Sequence, residues 1–148
     1  MNKNEAIKSL TGKWAPLSNF WMETEGHGKS AEHIFQAAKT ESREERAKIL
    51  SRPKPGQAKH AGKRCTLRED WELIKVNIME EIVRRKFRNE TLRALLEETG
   101  DAEIVEGNRW HDNFWGQCSC ANCAKRAPGK NTLGNILMTI REENRRNA

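Results

Sequence analysis

The chain has 148 residues, a formal charge of +6, 36% hydrophobic residues and 32% charged ones. That length suits one ordinary core, and no apolar run approaches the roughly 20 residues of a membrane span, so cytoplasmic residence is expected. The basic balance favours a phosphorylated or polyanionic partner, and in a reducing compartment the four cysteines are expected as thiols or metal ligands rather than disulfides.

Residues up to Leu10 read as a frayed lead-in, followed by a turn at Thr11-Gly12-Lys13. Trp14 to Trp21 is aromatic-rich and broken by Pro16, which predicts an extended or irregular path rather than a helix. At least two of Trp14, Phe20 and Trp21 are expected in the core. Asn19 stands out, because a buried amide needs partners and suits a sugar or base edge. Phe20-Trp21-Met22 predicts a short strand turning at Gly26-His27-Gly28.

Ser30 to Lys39 is the stretch around which the rest is arranged. Ser30 is placed to cap a helix, and Glu32 falls in its first turn, where negative charge suits the dipole. Glu32, Gln36 and Lys39 follow i, i+4, i+7 spacing, putting an acid, an amide and an amine on one face. About 10 Å of helix axis separates the first from the last, so both ends can reach one polar ligand group. Ala31, Phe35 and Ala38, with Ile34, form the apolar face. The residues alone also allow an amphipathic helix whose polar face is solvated.

Ser42 and Glu45 have capping-box spacing and predict a helix to about Leu50. Arg52 to Gly56, with two prolines, ends it, and Gln57 to Gly62 reads as one or two helical turns. Thr66 and Glu69 repeat the box and predict the longest helix, from Leu67 to about Arg88. Trp71, Ile74, Ile78, Ile82 and Phe87 line one side, widened by Met79 and Val83. Arg84, Arg85, Lys86 and Arg88 form the densest basic run, read as a solvated face, with phosphate contacts if the substrate base lies in nucleic acid. Asn89 caps a further helix that Gly100 ends. Glu103 to Glu106 alternates as a short strand, and a last helix from about Asn131 carries Leu133, Ile136, Leu137 and Ile140 inward. The expected whole is mainly α, a single domain over 1–148 with its core at about 12–146 and one or two short β segments.

Three further segments carry chemistry. Asp112-Asn113-Phe114-Trp115-Gly116 combines a carboxylate, an amide, two aromatics and a glycine. Trp115 can stack on a flat base, and Gly116 lets backbone approach a ligand; a core-filling Trp beside a tight turn fits equally. Gly129-Lys130-Asn131 opens into the last helix, which suits phosphate bound by free amides and a lysine, or an ordinary loop with an Asn cap. Cys118-Ser119-Cys120-Ala121-Asn122-Cys123 places three thiols close enough for one zinc, with Cys65 or His111 as fourth ligand. The other reading is a loop of reduced thiols.

Leu17-Ser18-Asn19-Phe20, Ser30 to Lys39, Asp112 to Gly116 and Gly129-Lys130-Asn131-Thr132-Leu133-Gly134, in that order, resemble the NADAR family, also called YbiA-like. The resemblance runs from the Trp14 region to the last helix. It implies a YbiA-like helical fold and an N-glycosidase acting on ADP-ribose-related or riboflavin-pathway ribosides, with ADP-ribosylated guanine, free or within nucleic acid, as one example. It also implies catalytic roles for Glu32, Lys39 and Asp112. Substrate contacts are implied for Asn19, Phe20, Gln36, Trp115, Gly116, Lys130, Asn131 and Gly134. Family members that remove ADP-ribose from guanine are understood to use a lysine Schiff base, and Lys39 matches that lysine. No cofactor is expected for the chemistry, and a structural zinc at Cys118, Cys120 and Cys123 is the one metal considered. Two positions depart from the pattern: Ile34 and Thr40 stand where the family usually has aromatics. The competing class is a module that binds ADP-ribose or a related nucleotide without turnover.

Overall fold

A computed structural model describes residues 5–24 and 27–148. Its secondary structure is mainly α, as expected. In chain order the described residues hold a 3-10 turn (Gly12–Leu17), α1 (Ala31–Ala37), α2 (Arg43–Leu50), α3 (Pro55–Gly62), α4 (Trp71–Lys86) and α5 (Glu90–Glu98). Strands β1 (Gly107–Asn108) and β2 (Gln117–Cys118), a second 3-10 turn (Cys123–Lys125) and α6 (Thr132–Arg146) complete it. Contacts divide the chain into two compact units, a central one over Asn19–Lys86 and a terminal one joining the residues up to Ser18 with Phe87–Ala148.

In the central unit α1 packs against α2, α3 and α4. Ala37, Ile49, Ala58 and Ala61 form a small-residue core, with Leu50 and Cys65 against it, and Phe35 meets Trp71 at 5.0 Å between ring centroids. Ser30 caps α1 as expected, its hydroxyl accepting the His33 amide at 3.1 Å. Ser42 caps α2 by accepting the Glu45 amide at 3.2 Å. Caps of this kind stabilise a helix by about 1 kcal/mol each. Helix α3 begins at Pro55, two residues before the expected turn, because proline's fixed φ suits the first helical position.

The longest helix starts at Trp71 rather than Leu67. The Thr66 amide is taken by the Glu45 carboxylate at 2.6 Å and the Arg68 amide by the Lys39 carbonyl at 2.8 Å, which holds 66–68 out of the helix. Trp71, Met79, Val83 and Phe87 are buried, while Ile74, Ile78 and Ile82 are half-buried. Gly26, part of an expected turn, lies outside the described residues. The strand expected at Phe20-Trp21-Met22 reduces to one antiparallel bridge between Met22 and Ser30.

In the terminal unit α5 packs on α6 and on the first 3-10 turn. That turn corrects the irregular path expected around Pro16: φ near −65° fits a 3-10 helix. The bonds on either side, Trp14 to Thr11 and Ser18 to Ala15, do not need a proline N–H. The lead-in is also tied down, since Ile7 bridges Ile104 in parallel, with Ile7 donating to Glu103 and Val105 to Ile7, both at 2.8 Å. The regular strand lies one step beyond the expected one: Gly107 and Asn108 pair in parallel with Gln117 and Cys118. Asn89 caps α5, accepting the Leu92 amide at 3.0 Å, and Gly100 closes it at φ +62°. Leu133, Ile136, Leu137 and Ile140 of α6 are all buried, as their spacing required.

Candidate functional site

Helix α1 carries the first group of candidates. Its polar face is not solvated: Glu32 is 7% exposed and Gln36 3%. Gln36 Nε2 donates to Glu32 Oε1 at 2.6 Å, fixing the carboxylate from one helical turn away. Gln36 Oε1 is a buried acceptor facing Gly62 of α3, where any Cβ would overlap it. Asn19 is buried too; its carbonyl accepts the Glu32 amide at 2.9 Å, and its Nδ2 meets Met79 Sδ at 3.3 Å. Phe20 is 46% and Trp21 40% exposed, against the expectation that two of the three early aromatics pack in the core.

Lys39 lies just past the end of α1, its amide donating to Gln36 at 3.2 Å and its carbonyl holding Arg68. The side chain is half-buried. Loss of hydration pushes its ammonium below the usual lysine range; the Glu32 carboxylate pulls the other way, while Lys59 and Lys63 of α3 add to the lowering. Acid, amide and amine therefore share one face.

His33 was not singled out by sequence and is fully buried. The Ser30 amide donates to its Nδ1 at 3.3 Å, so the other ring nitrogen is the one bearing hydrogen, and Nε2–H donates to the Arg52 carbonyl at 2.7 Å. The ring thus ties the start of α1 to the α2–α3 connection. A serine followed three residues later by a side chain able to reach back was the available signal.

The second group sits in the terminal unit. Asp112 Oδ1 accepts the amides of Phe114 at 3.1 Å and Trp115 at 2.9 Å, shaping a tight turn. Phe114 and Trp115 meet edge to face at 4.8 Å, and the Lys130 ammonium lies 5.4 Å from the Phe114 ring centre. Backbone carbonyls of this turn take the amides that open α6. Lys130 donates to Asn113 (2.8 Å), Asn131 to Gly116 (3.2 Å), Thr132 to Phe114 (3.1 Å) and Leu133 to Trp115 (3.0 Å). Of the two readings of this turn, the anion seat of free amides is therefore not formed. Nor does Asn131 cap α6 with its side chain. Its Oδ1 accepts the Glu106 amide at 2.9 Å and its Nδ2 donates to Ile104 at 2.8 Å. Gly116 and Gly134 are pressed against protein backbone: a Cβ would overlap the Glu106 carbonyl at the first and the Ile104 carbonyl at the second.

The three thiols converge on His111. Its Nδ1 lies 3.3 Å from Cys123 Sγ, 3.4 Å from Cys120 Sγ and 3.9 Å from Cys118 Sγ. The Cys123 amide hydrogen bond brings the Cys120 thiol down to about 7. Cys65 is not in this group; its thiol donates to the Gly62 carbonyl at 3.2 Å, close enough to Lys39 for their charges to interact. The basic run is thinner than its sequence suggests, since Arg84 pairs with Glu81 and Lys86 is buried.

The NADAR domain family matches residues 7–145, most of the chain. This chain belongs to the NADAR family. It is 38% identical over 120 residues to an N-glycosidase of Nostoc punctiforme, covering 77% of this chain and 72% of that one. It is 37% identical over 117 residues to a riboflavin biosynthesis protein of Vibrio vulnificus, covering 77% of this chain and 30% of that one. The solved structure of Escherichia coli YbiA matches with a TM-score of 0.79 at 30% identity, over 97% of this chain and 88% of that one. The enzyme class that goes with this membership is a hydrolase of N-glycosyl compounds. Among the described residues of this NADAR protein no helix is long and apolar enough to cross a membrane. Thr40 is fully buried, its hydroxyl accepting the Ser42 amide at 3.1 Å, and Ile34 is half-buried on α1.

Proposed function

We propose that the protein cleaves the bond between ribose C1 and a base or amine nitrogen in a phosphorylated riboside, with ADP-ribosylated guanine as the first candidate. One observation carries the reading: a lysine amine, half-buried and made less basic by that burial, lies in the field of a buried carboxylate held by a neighbouring amide. A nucleophilic amine must be neutral, and desolvation with nearby cations favours the neutral form.

The reaction then runs as follows. The C1–N bond breaks with its electron pair leaving on the base, through a transition state with positive charge on the sugar. Glu32 stabilises that charge and moves the proton that the departing base gains. Lys39 Nζ bonds to C1 and loses a proton, and opening of the sugar ring gives an imine, with the ring oxygen becoming a hydroxyl. Water hydrolyses the imine, releasing the sugar and restoring the amine. Lys59 and Lys63 put two more cations near Lys39, which suits a phosphorylated substrate. Exposed Phe20, on the same unit as Glu32 and Lys39, offers a ring for stacking on a base.

The Vibrio relative's name favours a second substrate, an early riboflavin intermediate of the ribosylaminopyrimidine kind. Incubation of the purified protein with ADP-ribosylated guanine in an oligonucleotide and with the riboflavin intermediate, followed by chromatography of released base or sugar, tests both. Release from the first alone supports the primary reading, and release from the second alone replaces it. Tight binding of either without release makes the protein a binding module.

A further inference from the structure

We propose that His111, Cys118, Cys120 and Cys123 hold one zinc ion as a closed structural site. The four ligand atoms come from one short stretch and lie within 4.8 Å of one another. A tetrahedral zinc with Zn–S of about 2.3 Å and Zn–N of about 2.0 Å sets S···N edges of ~3.5 Å and S···S edges of ~3.8 Å. The observed Nδ1···Sγ distances of 3.3, 3.4 and 3.9 Å bracket that edge. None of the four cysteines is in a disulfide.

The surroundings fit a metal better than a loose thiol loop. His111 adopts φ 68°, a left-handed conformation rare for a residue with a side chain, and from it the imidazole faces all three sulfurs. Donors are aimed at the sulfurs: the Cys120 amide at Cys118 Sγ (3.5 Å), the Cys123 amide at Cys120 Sγ (3.4 Å) and Asn113 Nδ2 at Cys123 Sγ (3.4 Å). Such contacts hold thiolates in place as an outer shell does around a metal. Three sulfurs and one imidazole make a complete structural zinc set, with no position left for a substrate.

The consequence is mechanical. Asn113 joins the site to the 112–116 turn, since its Oδ1 accepts the Cys118 amide at 2.9 Å and its carbonyl holds Lys130. The zinc would therefore pin the turn that receives the first amides of α6.

The test uses the full chain, expressed with added zinc and purified without a metal-affinity step. Elemental analysis is expected to give about one zinc per chain. After exchange, cobalt should show the intense visible bands of a tetrahedral site together with thiolate charge-transfer absorption. Cys120→Ser alters a half-buried ligand and should lose most of the zinc while keeping the helical circular dichroism. Chelation should lower the melting temperature of the native chain but not that of the variant. Zinc well below one per chain, an octahedral cobalt spectrum, iron in place of zinc, or full zinc retention by Cys120→Ser would each overturn the site. If Cys120→Ser fails to fold, cobalt titration of the metal-stripped native chain decides alone, through the presence or absence of tetrahedral and thiolate bands.

Discussion

The side chain of Asn131 lies across Gly134: both of its amide atoms pass so close to the glycine Cα that a Cβ there would overlap them. Asn131 stands in the left-handed region at φ 53°, and its amide crosses the first turn of α6 to bond the backbone of Ile104 and Glu106. The pair therefore welds the last helix to the segment before β1.

Gly134→Ala tests the weld. Alanine is the better helix former by about 1 kcal/mol, so a helix-propensity argument alone predicts stabilisation. Overlap with the Asn131 amide and the Ile104 carbonyl should reverse the sign, for a net loss of about 2–3 kcal/mol. Thermal unfolding should register this as a fall in Tm of roughly 5–10 °C. An unchanged or raised Tm would show that the turn yields without cost.

Glu32→Gln keeps the shape of the side chain and an oxygen for the Gln36 amide to donate to, but removes charge and proton exchange. The loss of turnover should be on the order of 100-fold or more, with circular dichroism and Tm close to native. Turnover at the native rate would take Glu32 out of the chemistry.

Lys39 should be trapped in the act. Borohydride added during turnover should reduce the imine and leave a sugar-phosphate adduct on the Lys39 peptide, read by mass spectrometry. Lys39→Arg keeps the charge but cannot form that imine, so activity should collapse; an active variant would leave Lys39 as an electrostatic clamp, and an adduct on Lys130 would move the role there. The pH dependence follows from the direction of the shift. Burial disfavours the ammonium, so the neutral amine gains population below the ordinary 10.5, and acylation of Lys39 should rise with pH earlier than that of an exposed lysine. Glu32 opposes this lowering, so in Glu32→Gln the acylation profile should move to still lower pH.

Gly62→Ala reaches the site without touching substrate. A Cβ on Gly62 would overlap Gln36 Oε1, and Gln36 is the residue that holds Glu32. The expected result is a fall of about 10-fold or more in kcat, the scale of a misplaced catalytic group, with a small change in KM. Equal kcat in the variant would mean that the Gln36–Glu32 bond does not position the acid.

Most of the local architecture was legible in the chain. Ser30, Ser42 and Asn89 cap the helices whose starts they mark, and the apolar spacing of α6 named its buried residues, because these rules act over one or two turns. Four ordered motifs also carried the family. The remainder depended on residues brought together from a distance. Thr66 has a capping sequence, yet Glu45, 21 positions earlier, takes its amide and delays α4. Gly129, Lys130 and Asn131 read equally as a cradle of free amides or as a loop with an Asn cap, yet the carbonyls of 113–116 take the amides and the Asn131 side chain bonds elsewhere. The acid–amide face of α1 read as either solvated or functional, and only the packing of α2, α3 and α4 around it decided that it is buried. Of the two candidate partners for the three thiols, only folding decided for His111, because a left-handed backbone turns its ring onto them while Cys65 is engaged beside Lys39. Sequence determines what each segment prefers; the tertiary structure decides which donors and acceptors are already spoken for, since every buried polar group must find a partner and the nearest one is seldom the nearest in sequence.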